Sequence, residues 1–422
     1  PSEEMNTKRK VLLLSDHPLS TSGVGTQARW LVNGLLATNR YSFKCLGGAI
    51  RHDNYDTVAV DGNPDFVIKP TNGFGTRDSL RQILAIERPD VLMIFTDPRF
   101  FIWIWEMEDE VHQVAPIAYW HLWDNGPRPD FNRVLYESTD AINCINRPTY
   151  EMLQGWFPDR TRYVPHAVPG NVYTPLAPAE AARARATLLG QGRADHFVAL
   201  WVGRNARRKM PSDIIMAWKI FLDRLEATKG HRKATLVMHT DPLDHEGANL
   251  HHVIDLAGLR GQVFFSRDRI DFNNMNALYN AADITLNRSC NEGFGLPVLE
   301  GLMAGRPTIT IKTGGLTRQA VNHMTGEQHG IALDPEVSPL VGNQLVPYIR
   351  EDYVSDKTYA DAIWRMHEMP APERTALGLR AREYAAREFS IDDMVRSWDE
   401  TLTNVADRWK HAPTPRWRQV TL

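Results

Sequence analysis

Two glutamates, Glu292 and Glu300, bracket the run Asn291-Glu292-Gly293-Phe294-Gly295-Leu296-Pro297-Val298-Leu299-Glu300. Ionised carboxylates accept hydrogen bonds from hydroxyl pairs, such as those of sugars and riboses. Gly293 and Gly295 keep the backbone open, so successive N–H groups can reach hydroxyls or phosphate oxygens. Pro297 suits the first turn of a helix. Glu292 is therefore expected in a loop and Glu300 about one turn inside a helix, both facing one ligand but meeting different parts of it.

Three further constellations could join them. Gly203-Arg204-Asn205-Ala206-Arg207-Arg208-Lys209 follows a short apolar run. Arg204, with a planar fork, and Lys209, as a point charge, could clamp a diphosphate and stabilise it as a leaving group. Arg207 and Arg208 read as a solvated basic loop. Thr21-Ser22-Gly23-Val24-Gly25-Thr26 fits either a plain tight turn or a close backbone approach to an anion at a helix start, through Gly23, Val24 and Gly25. His121 ends the run Pro116–His121, and its imidazole could donate to a hydroxyl or move a proton. Asp124 and Asp16, each just after an apolar run, are acceptor-side candidates.

Such groups need a scaffold that brings strand ends together. Short apolar runs alternate with helical patterns along the whole chain. Strands are expected at 10–16, 41–46, 90–95, 116–121, 140–146 and 162–165, then at 196–202, 234–240, 263–266, 283–287, 307–312 and 330–333. Helices are expected at 27–36, 211–225 and 275–282. The strands are apolar at consecutive positions, as parallel strands covered on both faces must be. Two βαβ series predict an α/β chain with two Rossmann-like, doubly wound parallel-sheet domains, whose crevices face one interdomain cleft. The expected boundaries are 5–170, a proline-punctuated linker at 171–192, 193–388, and a helix and tail at 389–422 that returns toward the first domain.

Composition narrows the function classes. A chain of 422 residues, 43% hydrophobic and 23% charged, has enough apolar surface for two cores and does not read as disordered. A net charge of -3 advertises no global nucleic-acid field. Cys45, Cys144 and Cys290 are odd in number and far apart, so buried reduced thiols in a cytoplasmic setting are expected rather than a disulfide framework. No apolar run approaches the ~20 residues that span a bilayer. His239, Asp241, His245, His251 and His252 lack a standard ligand spacing, so no metal site is expected. Phe100-Phe101-Ile102-Trp103-Ile104-Trp105 is expected to be a buried segment, with an acceptor pocket or membrane-contacting face as the alternative.

The segment Tyr279-Asn280-Ala281-Ala282-Asp283, the glutamate run and Gly314-Gly315 together resemble the nucleotide-sugar-binding half of retaining GT-B glycosyltransferases of family 4, the glycosyl transferases group 1. Glu292 and Glu300 match their Glu-x7-Glu signature. Gly203-Arg204 with Lys209 resembles their diphosphate clamp, and Gly23-Val24-Gly25 their N-terminal glycine loop. The resemblance is strong over 196–315 and looser before.

It implies a retaining, front-face transfer of a sugar from a nucleoside-diphosphate sugar to a hydroxyl acceptor, with no metal or other cofactor required. That acceptor is a glycan, lipid, metabolite or modified nucleic acid. Glu292 would lie beside the transferred sugar. Gly293, Phe294, Gly295 and Leu296 would line the donor, Glu300 would hold its ribose, and His121 would contact the sugar. The sequence departs from the family at Leu316-Thr317-Arg318-Gln319, where an acidic residue often follows the glycine pair. Arg267, in Arg267-Asp268-Arg269, is a candidate contact to the base or to an extra phosphate. Two rivals remain: a glycoside hydrolase using the Glu292/Glu300 pair, which needs its carboxyls to flank one bond, and a catalytically silent nucleotide-sugar-binding scaffold.

Overall fold

The computed structural model describes residues 7–266 and 272–411. Arg267 and the tail 414–422 lie outside them.

Two parallel sheets carry the chain. The first contains β1 (Arg9–Asp16), β2 (Tyr41–Gly48), β3 (Val58–Ala59), β4 (Phe66–Pro70), β5 (Val91–Thr96), β6 (Ile117–His121), β7 (Ala141–Cys144) and β8 (Thr161–Tyr163). Their order is β3-β4-β2-β1-β5-β6-β7-β8. Only the short β3 runs antiparallel to its neighbour. The second sheet contains β9 (Phe197–Val202), β10 (Ala234–His239), β11 (Val263–Ser266), β12 (Ile284–Leu286), β13 (Thr308–Ile311) and β14 (Gly330–Leu333), in the order β11-β10-β9-β12-β13-β14. All its pairings are parallel.

Both sheets are built from right-hand and left-hand halves that diverge from one strand. Chain order reverses between β1 and β5 in the first sheet and between β9 and β12 in the second. Loops leaving the carboxyl ends of the two strands at such a point diverge and open a crevice. The loops after β1 and β5 carry Asp16, Gly23 and Asp97. Those after β9 and β12 carry Arg204 to Lys209 and Glu292.

The helix Gly23–Leu36 begins four residues before the expected start, because Ser22 caps it by accepting from the Gly25 N–H at 3.0 Å. The expected helix 211–225 runs on to Lys229, with Pro211 at its start and Gly230 in a left-handed conformation at its end. The three cysteines are buried and unpaired. In the Phe100–Trp105 stretch, Phe101, Ile104 and Trp105 are buried, whereas Phe100 is 40% exposed.

The final helix, Ile391–His411, packs on Gly23–Leu36, where a side chain at Gly34 would collide with Val395. Tyr41 donates to Asp399, and Arg162 donates to Glu400 and to the Ser397 carbonyl. One apolar cluster therefore runs from Val11 and Met93 in the first sheet through Trp398 to Phe294 and Val298 beside the second. A feature that hydropathy does not reveal follows β14: residues 334–355 form a strap containing a two-stranded hairpin, β15 (Leu340–Val341) and β16 (Ile349–Arg350). Among the described residues no helix is long and apolar enough to cross a membrane.

Candidate active site

Glu292 is placed by the loop between β12 and the helix Leu296–Met303, and is 5% exposed. Its carboxylate is ion-paired with Lys209, lies 3.4 Å from Arg208 Nη1 and accepts from Ser289 Oγ at 3.1 Å. Burial works against its charge, but Lys209, Arg208 and the Ser289 hydroxyl outweigh burial and hold the carboxyl at about 2. Lys209 is itself pushed down by burial and by the Arg208 charge. The loop after β9 and the loop after β12 thus meet in one place, as the topology of the second sheet requires.

The basic turn distributes its charges differently from the sequence reading. Arg207, Arg208 and Lys209 form one tight 3-10 turn, so successive side chains point about a third of a turn apart. Arg208, expected to be solvated, instead donates to the Asn291 carbonyl at 3.2 Å and pairs with Glu292. Arg207 reaches Glu351 at 2.6 Å. Arg204 is half exposed and donates to Asp244 at 2.8 Å.

Glycine backbones make the loop possible. Gly295 has φ +90°, and the N–H groups of 293–296 make no hydrogen bond among the described residues. Four consecutive free donors in a largely buried loop are costly unless a ligand satisfies them. Gly314 has φ +46°, and a Cβ there would stand 2.1 Å from the Glu292 carbonyl oxygen and 2.3 Å from that of Asp124. Gly314→Ala is expected to displace both loops and cost about 1–3 kcal/mol of stability, read from urea denaturation.

Glu300 is held by tyrosine hydroxyls rather than by cations. It accepts from Tyr279 at 2.6 Å and bonds Tyr173, while burial lifts its carboxyl to about 7 despite both hydroxyls. Phe294 is buried against His166 and Phe389, so its ring belongs to the core.

The first sheet supplies the opposite wall. Gly23 abuts Leu296: a Cβ on it would lie 3.0 Å from the leucine methyl. Asp16 accepts from Ser22 at 2.7 Å, and burial raises its carboxyl. The Asp124 carbonyl accepts from the Glu292 N–H at 3.2 Å, and Asn146 donates to the Gly293 carbonyl at 2.7 Å. His121, expected to contact the sugar, is enclosed by the first sheet's own side chains. It has no exposed surface, Tyr136 bonds its Nε2 at 2.9 Å, and burial holds it neutral, at about 3. The strand's carboxyl end turns its ring inward against Tyr119 and Tyr136, and the Asp124 carboxylate, three residues on, lies beside Gly293.

Asp97 was missed. It directly follows β5, as Asp16 ends β1, so the signal that singled out Asp16 and Asp124 applies to it equally. Burial raises its carboxyl to about 6, against the pull of Arg99, and the charges of Asp124 and Arg208 also reach it. Arg208 and Asn146 left no such signal, because their contacts join segments distant in sequence. Among the described residues, no group of three or more His, Cys, Asp or Glu could hold a metal ion. His239 pairs with Ser266 and His245 projects into solvent.

Comparison with known proteins places these observations. Residues 191–338 match the family model glycosyl transferases group 1. The D-inositol 3-phosphate glycosyltransferase of Salinispora tropica is 28% identical over 290 residues, covering 66% of this chain and 52% of that protein. The one from Saccharomonospora viridis is 33% identical over 136 residues, covering 32% and 24%. The chain thus spans about half the length of the first of these curated relatives and less of the second. Among solved structures, HepE of Anabaena in complex with UDP and glucose superposes with a TM-score of 0.66 at 16% identity, over 94% of this chain and 100% of that one. Sucrose-phosphate synthase of Thermosynechococcus elongatus gives 0.70 at 18%, over 94% and 99%. The GT-B fold therefore extends over nearly the whole chain, and residues 191–338, which hold Glu292, Glu300 and the basic turn, carry the sequence pattern of the glycosyl transferases group 1.

Proposed function

We propose that the protein is a retaining glycosyltransferase of family 4 that moves a sugar from a nucleoside-diphosphate sugar to a hydroxyl acceptor. The observation that carries this reading is the meeting of Lys209, Arg208 and Glu292 beside the N–H groups of 293–296, which make no hydrogen bond among the described residues. A diphosphate offers those N–H groups and cations the anionic oxygens they lack. The acceptor oxygen attacks the anomeric carbon on the face from which the phosphate leaves. The carbon–phosphate-oxygen bond breaks, and the departing phosphate takes the acceptor proton. Lys209 and Arg208 stabilise charge on that phosphate, with Arg204 free to swing from Asp244 to join them. Glu292, ionised throughout, stabilises the positive charge that develops on the sugar. Side-chain cations supply the charge neutralisation here, so the proposed step is metal-independent. Asp16, Asp97 and Asp124 line the acceptor wall, and three free thiols suit a reducing, cytoplasmic compartment.

HepE was solved with UDP and glucose, which makes a UDP-sugar the first donor to test. Thermal-shift titration with UDP, UDP-glucose and other nucleotide sugars tests the reading: a ligand of the native state raises the melting temperature. Absence of any shift across the panel at millimolar ligand sinks it.

Glu300 supplies a pH prediction. Ribose hydroxyls donate to an ionised carboxylate, and the Glu300 carboxyl titrates at about 7. Donor affinity should rise from pH 6 to pH 8 in the wild type. In Glu300→Gln it should be weaker and flat over that range, as read by calorimetry.

A further inference from the structure

We propose that Asp352, on the strap after β14, is a positioning residue that holds the Glu292 loop in register with the acceptor-side loop of the other sheet. The three residues Arg350, Glu351 and Asp352 bond to the loop at Asn125 and Gly126, to the loop at Cys290 and to the basic turn at Arg207. Toward the first sheet, the Arg350 N–H donates to the Gly126 carbonyl at 2.7 Å. Asn125 Nδ2 donates to the Arg350 carbonyl at 3.0 Å and to Asp352 Oδ2 at 2.8 Å. Toward the second sheet, the Asp352 N–H donates to the Cys290 carbonyl at 2.6 Å, two residues before Glu292. Toward the basic turn, Glu351 accepts from both terminal nitrogens of Arg207, at 2.6 and 3.2 Å.

Asp352 fixes this junction because its side chain is anchored at both oxygens. One accepts from Asn125 and the other from Ser338 Oγ at 2.6 Å. It is 8% exposed and Glu351 3%, so these are buried, satisfied carboxylates rather than a solvated acidic face. With the side chain held, its N–H has one position, and the Cys290 carbonyl follows it. Asn125 immediately follows Asp124, whose carbonyl takes the Glu292 N–H. The strap therefore splints two loops that must keep donor and acceptor at reaction distance, where a misplacement of about 1 Å costs about 100-fold in rate.

The kinetic part rests on the proposed transferase reading, whereas the positional part does not. Hydrogen exchange on the ligand-free full chain tests position. Asp352→Ala and Asn125→Ala should each speed exchange of the hydrogen-bonded Cys290, Glu292 and Gly126 amides by about 10-fold, with the Gly23–Leu36 helix unchanged. Asp352→Asn should stay close to wild type, because its carbonyl can accept from Asn125 and its amide can donate to Ser338 Oγ. UDP release from UDP-glucose then tests consequence. The alanine variants should lose about 10–100-fold in kcat with UDP affinity within about 3-fold, and Asp352→Asn should recover most of the rate. Unaltered exchange in both loops, in either alanine variant, overturns the proposal. So does a wild-type kcat in Asp352→Ala alongside an inactive Glu292→Gln. A wild type that neither binds UDP nor turns over UDP-glucose counts against the transferase reading, and exchange alone then decides the role of Asp352.

Discussion

Glu292→Gln is expected to lower kcat by about 100–1,000-fold while leaving UDP affinity nearly unchanged, the loss typical when one preorganised charge at a developing transition-state charge is removed. The glutamine keeps the shape of the side chain and can still bond Ser289 and Lys209, so the loop stays in place. It removes only the negative charge that two cations now hold. Single-turnover measurement at saturating donor checks this, and a rate within about 3-fold of wild type would remove Glu292 from the chemistry. Glu292→Ala carries an extra cost, because it also removes the acceptor atoms to which Lys209 and Ser289 donate. Lys209 is 16% exposed and would keep a buried charge without its partner, a defect worth about 3–5 kcal/mol unless the lysine sheds its proton.

The same pair makes stability depend on acid. The Glu292 carboxyl is at about 2 in the folded chain, against an ordinary value of 4.5. Its contribution is therefore fully present above pH 4.5 and is lost as the pH falls toward 2. Glu292→Gln should flatten the wild-type loss of stability over that window, measured by denaturant titration at successive pH values.

Lys209→Ala is expected to weaken UDP binding by about 10–100-fold and to leave uridine binding unaffected, since a hydrogen bond to a charged group contributes about 1.5–3 kcal/mol. Calorimetry with both ligands separates the diphosphate from the base. Equal affinity of the variant and wild type for UDP would take Lys209 out of the clamp. The substitution also leaves Glu292 with Arg208 and Ser289 alone. Combining it with Glu292→Gln should restore part of the stability that either single change loses, because the two residues share one interaction. Arg204→Ala should be milder: the residue is half exposed and rests on Asp244, so in the free protein it holds little together.

Much of this architecture was legible in the chain. Consecutive apolar positions in β1, β5, β9 and β10 announced parallel strands covered on both faces, and their alternation with helical patterns announced two doubly wound sheets. Gly293 to Pro297 announced an open loop entering a helix, and there Glu292 and Lys209 do meet. The short β3, β15 and β16 were not legible, because two-residue strands carry no periodicity. Neither was the direction of His121: a strand residue two-sided by burial looks the same in sequence whether it faces the crevice or the core.

What the sequence determined by itself is what depends on local physics: which runs form strands, where glycine and proline shape a loop, and which side chains can carry charge. Which of those charges act together was decided only by the tertiary structure. Arg204 and Arg208 are chemically alike and four positions apart, yet one rests on Asp244 and the other on Glu292. The difference arises because electrostatic energy depends on distance and burial. Both are set by how a strand order reverses between β9 and β12, and by a strap that bridges the loops at Asn125 and Cys290, far apart in sequence.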